Sequence, residues 1–271
     1  MRAIVLSLIL SSVSGAAFAE KYTLGIVPQQ SPLKMFKAWK PIADHLFKET
    51  GHEIVFKTER SIAEFEKVLY SGGYDMAYVN PYHFVVAHRT QNYQAVVRDS
   101  KVIRGILVAN NSNQDFESLI KSKETRFLFP SPNAFAATLL TKFELLSKYG
   151  VNINLDRTQQ YVNSHDSVYS GIARGTGEIG GGIQRTYNNF SNTDDKNKLK
   201  AIYTTNAYPS HPIVLKPSLD SVTQNKLTKA LLNLPKALTD KLSMVKLIPS
   251  NNEEFQPIAE LEASLSTVER N

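Results

Sequence analysis

The chain has 271 residues, of which 42% are hydrophobic and 21% are charged, and it contains no Cys. This composition is typical of a globular protein, and the lack of Cys excludes disulfides, zinc–thiolate and iron–sulfur sites, and thiol nucleophiles. The formal net charge is +6, from 31 basic and 25 acidic residues. Because no run of five like charges occurs, nucleic acid is not an expected partner.

The first residues have the pattern of a secretory signal peptide. Met1 and Arg2 give a positive start, residues 3–13 are mostly apolar, and Ala17 and Ala19 are small residues at the cleavage positions. A membrane anchor is the alternative, but about eleven apolar residues are too few for a bilayer that needs roughly 20. We therefore expect cleavage before Glu20, so that an exported, soluble chain acts in a bacterial periplasm.

Strand and helix patterns alternate along the rest of the chain. The predicted strands are residues 22–27, 53–57, 75–79, 94–98, 102–109, 126–129, 159–162, 179–183, 200–204 and 212–216. The predicted helices are residues 35–50, 61–70, 82–90, 116–121, 135–149 and 167–174, followed by a helical tail at 221–234 and 235–244. Strands that alternate with helices through short loops predict parallel α/β sheets.

The pattern restarts near residues 108–112, which indicates two α/β lobes. If the helical tail folds back onto the first lobe, the chain crosses between the lobes twice. We predict that residues 20–108 and 213–271 form lobe one and that residues 109–212 form lobe two, with hinge residues near 109–112 and 209–213. A ligand is expected in the cleft between the lobes, at the carboxyl ends of the strands.

Turns that lead from a strand into a helix are the candidate ligand contacts, because unpaired backbone N–H groups and the helix dipole favour anions there. Residues 28–31, 78–82 and 131–138 are such turns, and 164–167 is a capping sequence that contains His165. Each turn has a simpler interpretation, since Ser, Asn and Asp are ordinary helix N-caps. His165 is equally consistent with a cap and with a ligand contact.

Patterns for catalysis, metals and cofactors are weak in this sequence. The six His have no metal-binding spacing, and no G-x-S-x-G motif occurs. The glycines at 175, 177 and 180–182 lack the Lys-Ser/Thr ending of a phosphate loop. Their small size instead indicates that the backbone comes close to a partner strand or to a ligand there. We predict no enzyme activity, no metal and no cofactor.

The order of these segments resembles the periplasmic binding proteins of ABC transporters for phosphate, phosphite and phosphonates. The resemblance covers nearly the whole chain after residue 20, and it is carried by residues 22–27, 39–41, 75–81, 99–100, 131–133, 148–151, 164–166, 175–182 and 212–214. It implies the type II periplasmic binding fold, with two α/β lobes, a hinge that the chain crosses twice and closure over an anion. In this family, hydroxyls and backbone N–H groups at helix N-termini contact the oxyanion, together with aromatic side chains.

The chain departs from the family at the positions that hold the ligand. The family loop Asp-Pro-x-Ser-x-Ser-Gly corresponds to residues 131–137, Ser-Pro-Asn-Ala-Phe-Ala-Ala. The hydroxyl positions of the family loop are Ala and Phe in this chain. Losing two or three charge-assisted hydrogen bonds to the oxyanion, each roughly 1.5–3 kcal/mol, would greatly change the affinity for that ligand. The family positions that could supply carboxylates for the ammonium of an aminoalkylphosphonate correspond here to His211 and to Arg185 or a neighbour of Arg185. The second position is given with its neighbours because the glycine run blurs the register. Basic groups there disfavour aminoalkylphosphonates and favour a second acid group.

We therefore predict the receptor of an ABC importer, which binds a small, mainly anionic ligand with an apolar part near Phe135 and delivers it to a membrane permease. The alternative is a periplasmic sensor subunit for a membrane kinase, cyclase or chemoreceptor, and a pocket that binds little ligand also stays open. A monomer is expected. Candidate ligand contacts are Gln29, Ser31, Tyr78, Asn80 and Tyr82 from lobe one and Asn133, Phe135, Ala136, Thr138, His165, Arg185 and His211, largely from lobe two.

Overall fold

We describe the protein from a computed structural model that covers residues 20–112 and 115–268, with side chains described as far as residue 263. The predicted signal peptide, residues 1–19, lies outside these described residues. Among the helices of the described ranges, none has both the length and the apolar composition that crossing a bilayer requires.

The described residues alternate between strands and helices, close to the predicted bounds. The strands are β1 (Lys21–Ile26), β2 (Glu53–Lys57), β3 (Met76–Tyr78), β4 (Gln94–Asp99), β5 (Val102–Ile103), β6 (Gly105–Asn110), β7 (Arg126–Phe129), β8 (Thr158–Tyr161), β9 (Ile179–Ile183), β10 (Leu199–Thr204), β11 (Tyr208–Pro209), β12 (Pro212–Leu215) and β13 (Leu247–Pro249). The α-helices are α1 (Pro32–Thr50), α2 (Ile62–Tyr70), α3 (Pro81–Gln91), α4 (Phe116–Lys121), α5 (Leu140–Tyr149), α6 (Ile153–Asp156), α7 (His165–Ala173), α8 (Gln184–Asn188), α9 (Thr193–Lys196), α10 (Ser221–Leu232), α11 (Lys236–Lys241) and α12 (Gln256–Val268).

The first sheet has six strands in the order β13-β4-β12-β3-β1-β2 and, with its helices, is called the first lobe. β1 pairs in parallel with β2 and β3, whereas β12 runs antiparallel to β3 and β4. α1 buries Trp39, Ile42 and Leu46 on one face, at the spacing that brings helical residues onto the same side. The helix ends at Gly51, where a φ of +76° favours glycine.

The second sheet has five strands in the order β10-β6-β9-β7-β8 and, with its helices, is called the second lobe. β7 pairs in parallel with β8 and β9, whereas β6 runs antiparallel to β9 and β10. The prediction of parallel sheets is therefore wrong in part. Each sheet is mixed, because the strand that enters it after a crossing, β12 in the first sheet and β6 in the second, runs opposite to the parallel strands, as does β13.

A ribbon of two short strands joins the lobes. β5 pairs antiparallel with β11, with Ile103 opposite Tyr208 and Val102 opposite Pro209. β6 lies wholly in the second sheet, so a division after residue 108 would cut one strand, and the first crossing lies earlier than residues 109–112. The apolar run 102–109 is interrupted at Arg104, whose Nη1 donates to the carbonyl of Thr205 at 2.9 Å.

A π-helical turn, Phe135–Leu139, precedes α5, where the sequence predicts one continuous α-helix. Strands β6 and β9 pack closely against the backbone carbonyl groups of this turn. A Cβ atom on Gly105 would lie 2.0 Å from the oxygen of Ala136, and a Cβ atom on Gly181 would lie 2.1 Å from the oxygen of Ala137. Glycine is needed at both positions because a backbone, rather than a ligand, occupies the space.

Candidate functional site

Strand ends from both lobes meet at the cleft. Gln29 and Asn80 follow β1 and β3, and Arg185 follows β9. Because β12 is antiparallel to β3, His211 just before β12 reaches the same edge of the first sheet. The topology thus brings polar side chains from separate turns to one place, as expected for a ligand site at strand ends.

Arg185 forms the centre of this group. Its Nη2 donates to Oε1 of Gln29 at 2.8 Å and its Nη1 donates to the hydroxyl of Tyr78, so a second-lobe cation contacts two first-lobe side chains. Within the described part of the chain, no carboxylate lies at ion-pair distance from Arg185. Its charge is therefore available to an anion.

His211 lies beside Arg185 as a neutral side chain. Nε2 of Gln29 donates to Nε2 of His211 at 2.8 Å, and the imidazole stacks on the ring of Tyr78 with centroids 5.3 Å apart. Burial and the positive charge of Arg185 hold the pKa of His211 well below its usual value. A neutral ring that accepts a hydrogen bond from Gln29 adds no competing charge to the site.

His165 is the first residue of α7 and is 2% exposed. Its backbone N–H donates to the carbonyl of Gln29 at 3.3 Å, which is a direct bond between the lobes. Burial and the nearby Arg185 lower the pKa of His165 to about 3, and its Nδ1 has no hydrogen-bond partner. Ser164 rather than His165 caps the helix, since Oγ of Ser164 accepts from the N–H of Ser167.

A second group of polar side chains bonds the lobes to each other. Asn80 caps α3 by accepting from the N–H of His83, and its Nδ2 donates to the carbonyl of Asn133 at 3.1 Å. Nδ2 of Asn133 donates to Oε2 of Glu66 at 3.1 Å, and Oε1 of Glu66 lies 2.9 Å from Nε2 of His83. Glu66 is not among the predicted contacts, because a lone acidic residue on a helix carries no local signal of an interlobe contact.

Three cavities border this region. The small cavity, about 10 Å³, lies at the π-helical turn and is lined by Val27, Gln29, Ile62, Asn80, Ile103, residues 134–137, His165, Ile183 and His211. The helix cavity, about 480 Å³, lies beside α1 and α11, and its lining includes Lys34, Trp39, Tyr78, Arg185 and Asn189. The ribbon cavity, about 800 Å³, is lined by residues 99–104, 183–185, 188–189, 210–211 and 243. Arg185 borders both larger cavities.

The predicted contacts differ in where they lie. Gln29, Tyr78, Asn80, Phe135, Ala136, His165, Arg185 and His211 line one or more of these cavities, and Asn133 lies one hydrogen bond away. Ser31 is an exposed residue at the start of α1, and Thr138 is buried and donates to the carbonyl of Ser131. Tyr82 lies on α3 among acidic side chains, and burial raises its pKa to about 12. None of these last three residues lines any of the three cavities described above.

Two α/β lobes joined by a ribbon, with side chains of both lobes around a central cation, define a two-lobed ligand-binding protein. Residues 24–255 match the model of the family described as "ABC transporter, phosphonate, periplasmic substrate-binding protein". The chain belongs to this family. The predicted resemblance and the predicted role as a substrate-binding protein of an ABC transporter are thereby confirmed. A periplasmic location is implied by the family.

Solved structures share the fold at low sequence identity. A binding protein component of an ABC phosphonate transporter from Pseudomonas aeruginosa has a TM-score of 0.84 and 16% identity, over 90% of this chain and 86% of that one. PhnD1 from Prochlorococcus marinus, solved with methylphosphonate, has a TM-score of 0.83 and 19% identity, over 91% and 98%. The periplasmic VFT2 domain of BvgS from Bordetella pertussis has a TM-score of 0.57 and 15% identity, over 82% and 92%. These structures confirm the predicted two-lobed fold.

Proposed function

We propose that this protein binds a small anionic ligand between its lobes and delivers it to the permease of an ABC importer. The observation that carries the proposal is the position of Arg185, a second-lobe cation that reaches Gln29 and Tyr78 of the first lobe and has no carboxylate partner among the described residues. A partly buried charge is stabilised by an opposite charge, which an anionic ligand supplies.

Closure follows from the same arrangement. An anion at Arg185 contacts side chains of both lobes only when the lobes are together, so its binding favours the closed form. The role is binding rather than catalysis, and the protein acts as a monomer. Export depends on the predicted signal peptide, and we expect the protein isolated from the periplasm to begin at Glu20, as intact mass measurement would show.

The test is a thermal-shift panel on the exported protein with phosphate, phosphite, methylphosphonate, 2-aminoethylphosphonate, sulfate and small carboxylates. A ligand at 100 times its Kd adds about 2.7 kcal/mol to the free energy of unfolding, which gives a clear rise in Tm. We expect a rise with at least one anion, loss of that rise in Arg185→Gln, and its retention in Arg60→Gln, which removes an exposed charge outside the three cavities. No rise with any anion, or an unchanged rise in Arg185→Gln, would contradict the proposal.

A further inference from the structure

We propose that the ligand is an organic anion whose acid group binds Arg185 and whose apolar substituent lies in the ribbon cavity. This inference rests on the proposed function and adds the class of ligand and its place in the cleft. The acid group is a phosphonate or a carboxylate, since the planar guanidinium fork fits both.

The π-helical turn leaves no room for an acid group. The small cavity beside it, about 10 Å³, holds roughly one water molecule. Its walls at Ala134, Ala136 and Ala137 carry no hydroxyl, and these residues belong, with Phe135, to an apolar cluster that also contains first-lobe side chains. Direct bonds between the lobes border it, from the N–H of His165 and from Nδ2 of Asn80. The lobes therefore contact each other directly here.

The ribbon cavity has both the size and the chemistry that an organic anion needs. At about 800 Å³, it lies in the range of cavities that hold organic ligands. Val102, Ile103 and Ile183 give it an apolar wall, and its other lining residues, which include Arg185 and His211, are polar or charged. An acid group at Arg185 thus lies next to apolar surface that can cover a substituent.

The charges around the ribbon cavity also favour an anion. Lys101, Arg104 and Arg185 line it, against one carboxylate, Asp99. Oδ1 of Asp99 accepts from the N–H of Lys101 at 3.3 Å and from the N–H of Val245 at 3.1 Å, so backbone donors stabilise this charge. The remaining positive charge attracts an acid and repels an amine.

The helix cavity is the competing location, and it has a different character. Its cations include Lys34 and Lys241, and Nζ of Lys34 bonds the carbonyl of Asn189 across the lobes. Its aromatic wall contains Trp39 and Tyr78, but Trp39 is only 4% exposed. Such a lining fits a compact, highly charged anion better than an acid with an apolar substituent.

The test compares methylphosphonate with phenylphosphonate, and acetate with benzoate, by isothermal titration calorimetry. Burying the additional carbons against Val102 and Ile103 should make the larger acid of at least one pair bind ten times more tightly or better. Val102→Trp fills the ribbon cavity from a side chain that is 55% exposed, so the core is not disturbed. Ala38→Leu occupies part of the helix cavity, and Val222→Trp adds the same bulk at an exposed position on α10.

We expect the preference for the larger acid to fall below threefold in Val102→Trp and to persist in Ala38→Leu and Val222→Trp. Thermal unfolding checks that each variant is folded, and Val102→Phe replaces Val102→Trp if the latter does not fold. Equal affinities for small and large acids in the unchanged protein, or a preference lost only in Ala38→Leu, would overturn the inference. The proposed function stands in both cases, because an anion still binds. It fails if no acid of either pair and no anion of the earlier panel binds, or if Arg185→Gln leaves anion binding unchanged.

Discussion

Two buried imidazoles and one guanidinium share the centre of the cleft, and only the guanidinium carries a charge. Burial disfavours the protonated form of His165 and of His211, and the charge of Arg185 disfavours it further. The consequence is a site whose positive charge is concentrated on one side chain. Protonation of either buried imidazole would place a second positive charge close to that of Arg185.

The lowered pKa of His165 predicts acid sensitivity. In the unfolded chain a His titrates near 6.5, and in the folded protein His165 titrates at about 3. Between these values the unfolded state binds more protons, so the free energy of unfolding decreases as the pH falls, by up to about 1.4 kcal/mol per pH unit. The measurement is urea unfolding at pH 7.5 and at pH 5.0. Between these two pH values, the free energy of unfolding of His165→Gln should fall by about 2 kcal/mol less than that of the unchanged protein.

The control for this prediction is Arg60→Gln, which removes an exposed side chain outside the site that stays charged at both pH values. Its loss of stability between the two pH values should match that of the unchanged protein. If His165→Gln shows the same loss as the control, the imidazole is protonated in the folded protein and the account of a single central charge is wrong.

At the residue scale, the sequence predicts which turns approach the cleft but not which side chains face it. Gln29 and Asn80 follow predictable strands, so their convergence could be expected from topology alone. Ser31 and Tyr82 lie in the same turns, but their side chains do not line the three cavities. The geometry of the first helical turn sets the direction of each side chain, and the sequence pattern does not specify that geometry. Glu66 joins the site from the face of α2, which is set by tertiary packing.

At the element scale, the contact between β9 and the π-helical turn depends on the absence of a side chain. Gly181→Ala would place a Cβ atom 2.1 Å from the carbonyl oxygen of Ala137 and 2.5 Å from the ring of Phe129. A backbone carbonyl cannot move aside cheaply, so we expect the free energy of unfolding to fall by about 3 kcal/mol. Denaturant unfolding with a fitted midpoint measures this change.

Gly150→Ala is the matched control, since Gly150 ends α5 with a φ of +67° and has no atom within 4 Å of an added Cβ. Only backbone strain opposes that substitution, at a cost of about 1 kcal/mol. Equal losses in the two variants would show that the strand and the turn can separate.

The elements themselves were largely predictable, and the exceptions have physical causes. Apolar runs gave β7 and β9 their full lengths, because buried strands contain few polar residues. The run 102–109 contains two strands, since Arg104 turns away to bond a backbone carbonyl. The π-helical turn follows the same apolar pattern as an α-helix, so its different hydrogen bonding leaves no trace in the sequence.

At the scale of the whole molecule, the closed arrangement depends on hydrogen bonds between the lobes. Asn133→Ala removes the bond from Nδ2 of Asn133 to Oε2 of Glu66, which is charge-assisted. Loss of such a bond favours the open form, so we expect weaker ligand binding, by about three- to tenfold, and a larger radius of gyration. Small-angle X-ray scattering and calorimetry measure the two effects.

Asn111→Ala is the control for closure, because Nδ2 of Asn111 donates to the carbonyl of Asn197 at 2.7 Å within the second lobe. It removes a similar bond without touching the cleft, and both measurements should match the unchanged protein. If Asn133→Ala also matches it, the interlobe bonds do not determine the balance between open and closed forms.

The two lobes are assembled differently from the chain. β6 to β10 follow one another directly, so the second sheet is made from one continuous stretch. In the first sheet β12, Pro212–Leu215, lies between β3 and β4, although those two strands are consecutive. When the chain emerges amino end first, neither β3 nor β4 can pair with β12 until residue 215 has emerged. The second lobe can therefore fold during translocation, while the first lobe can only be completed near its end.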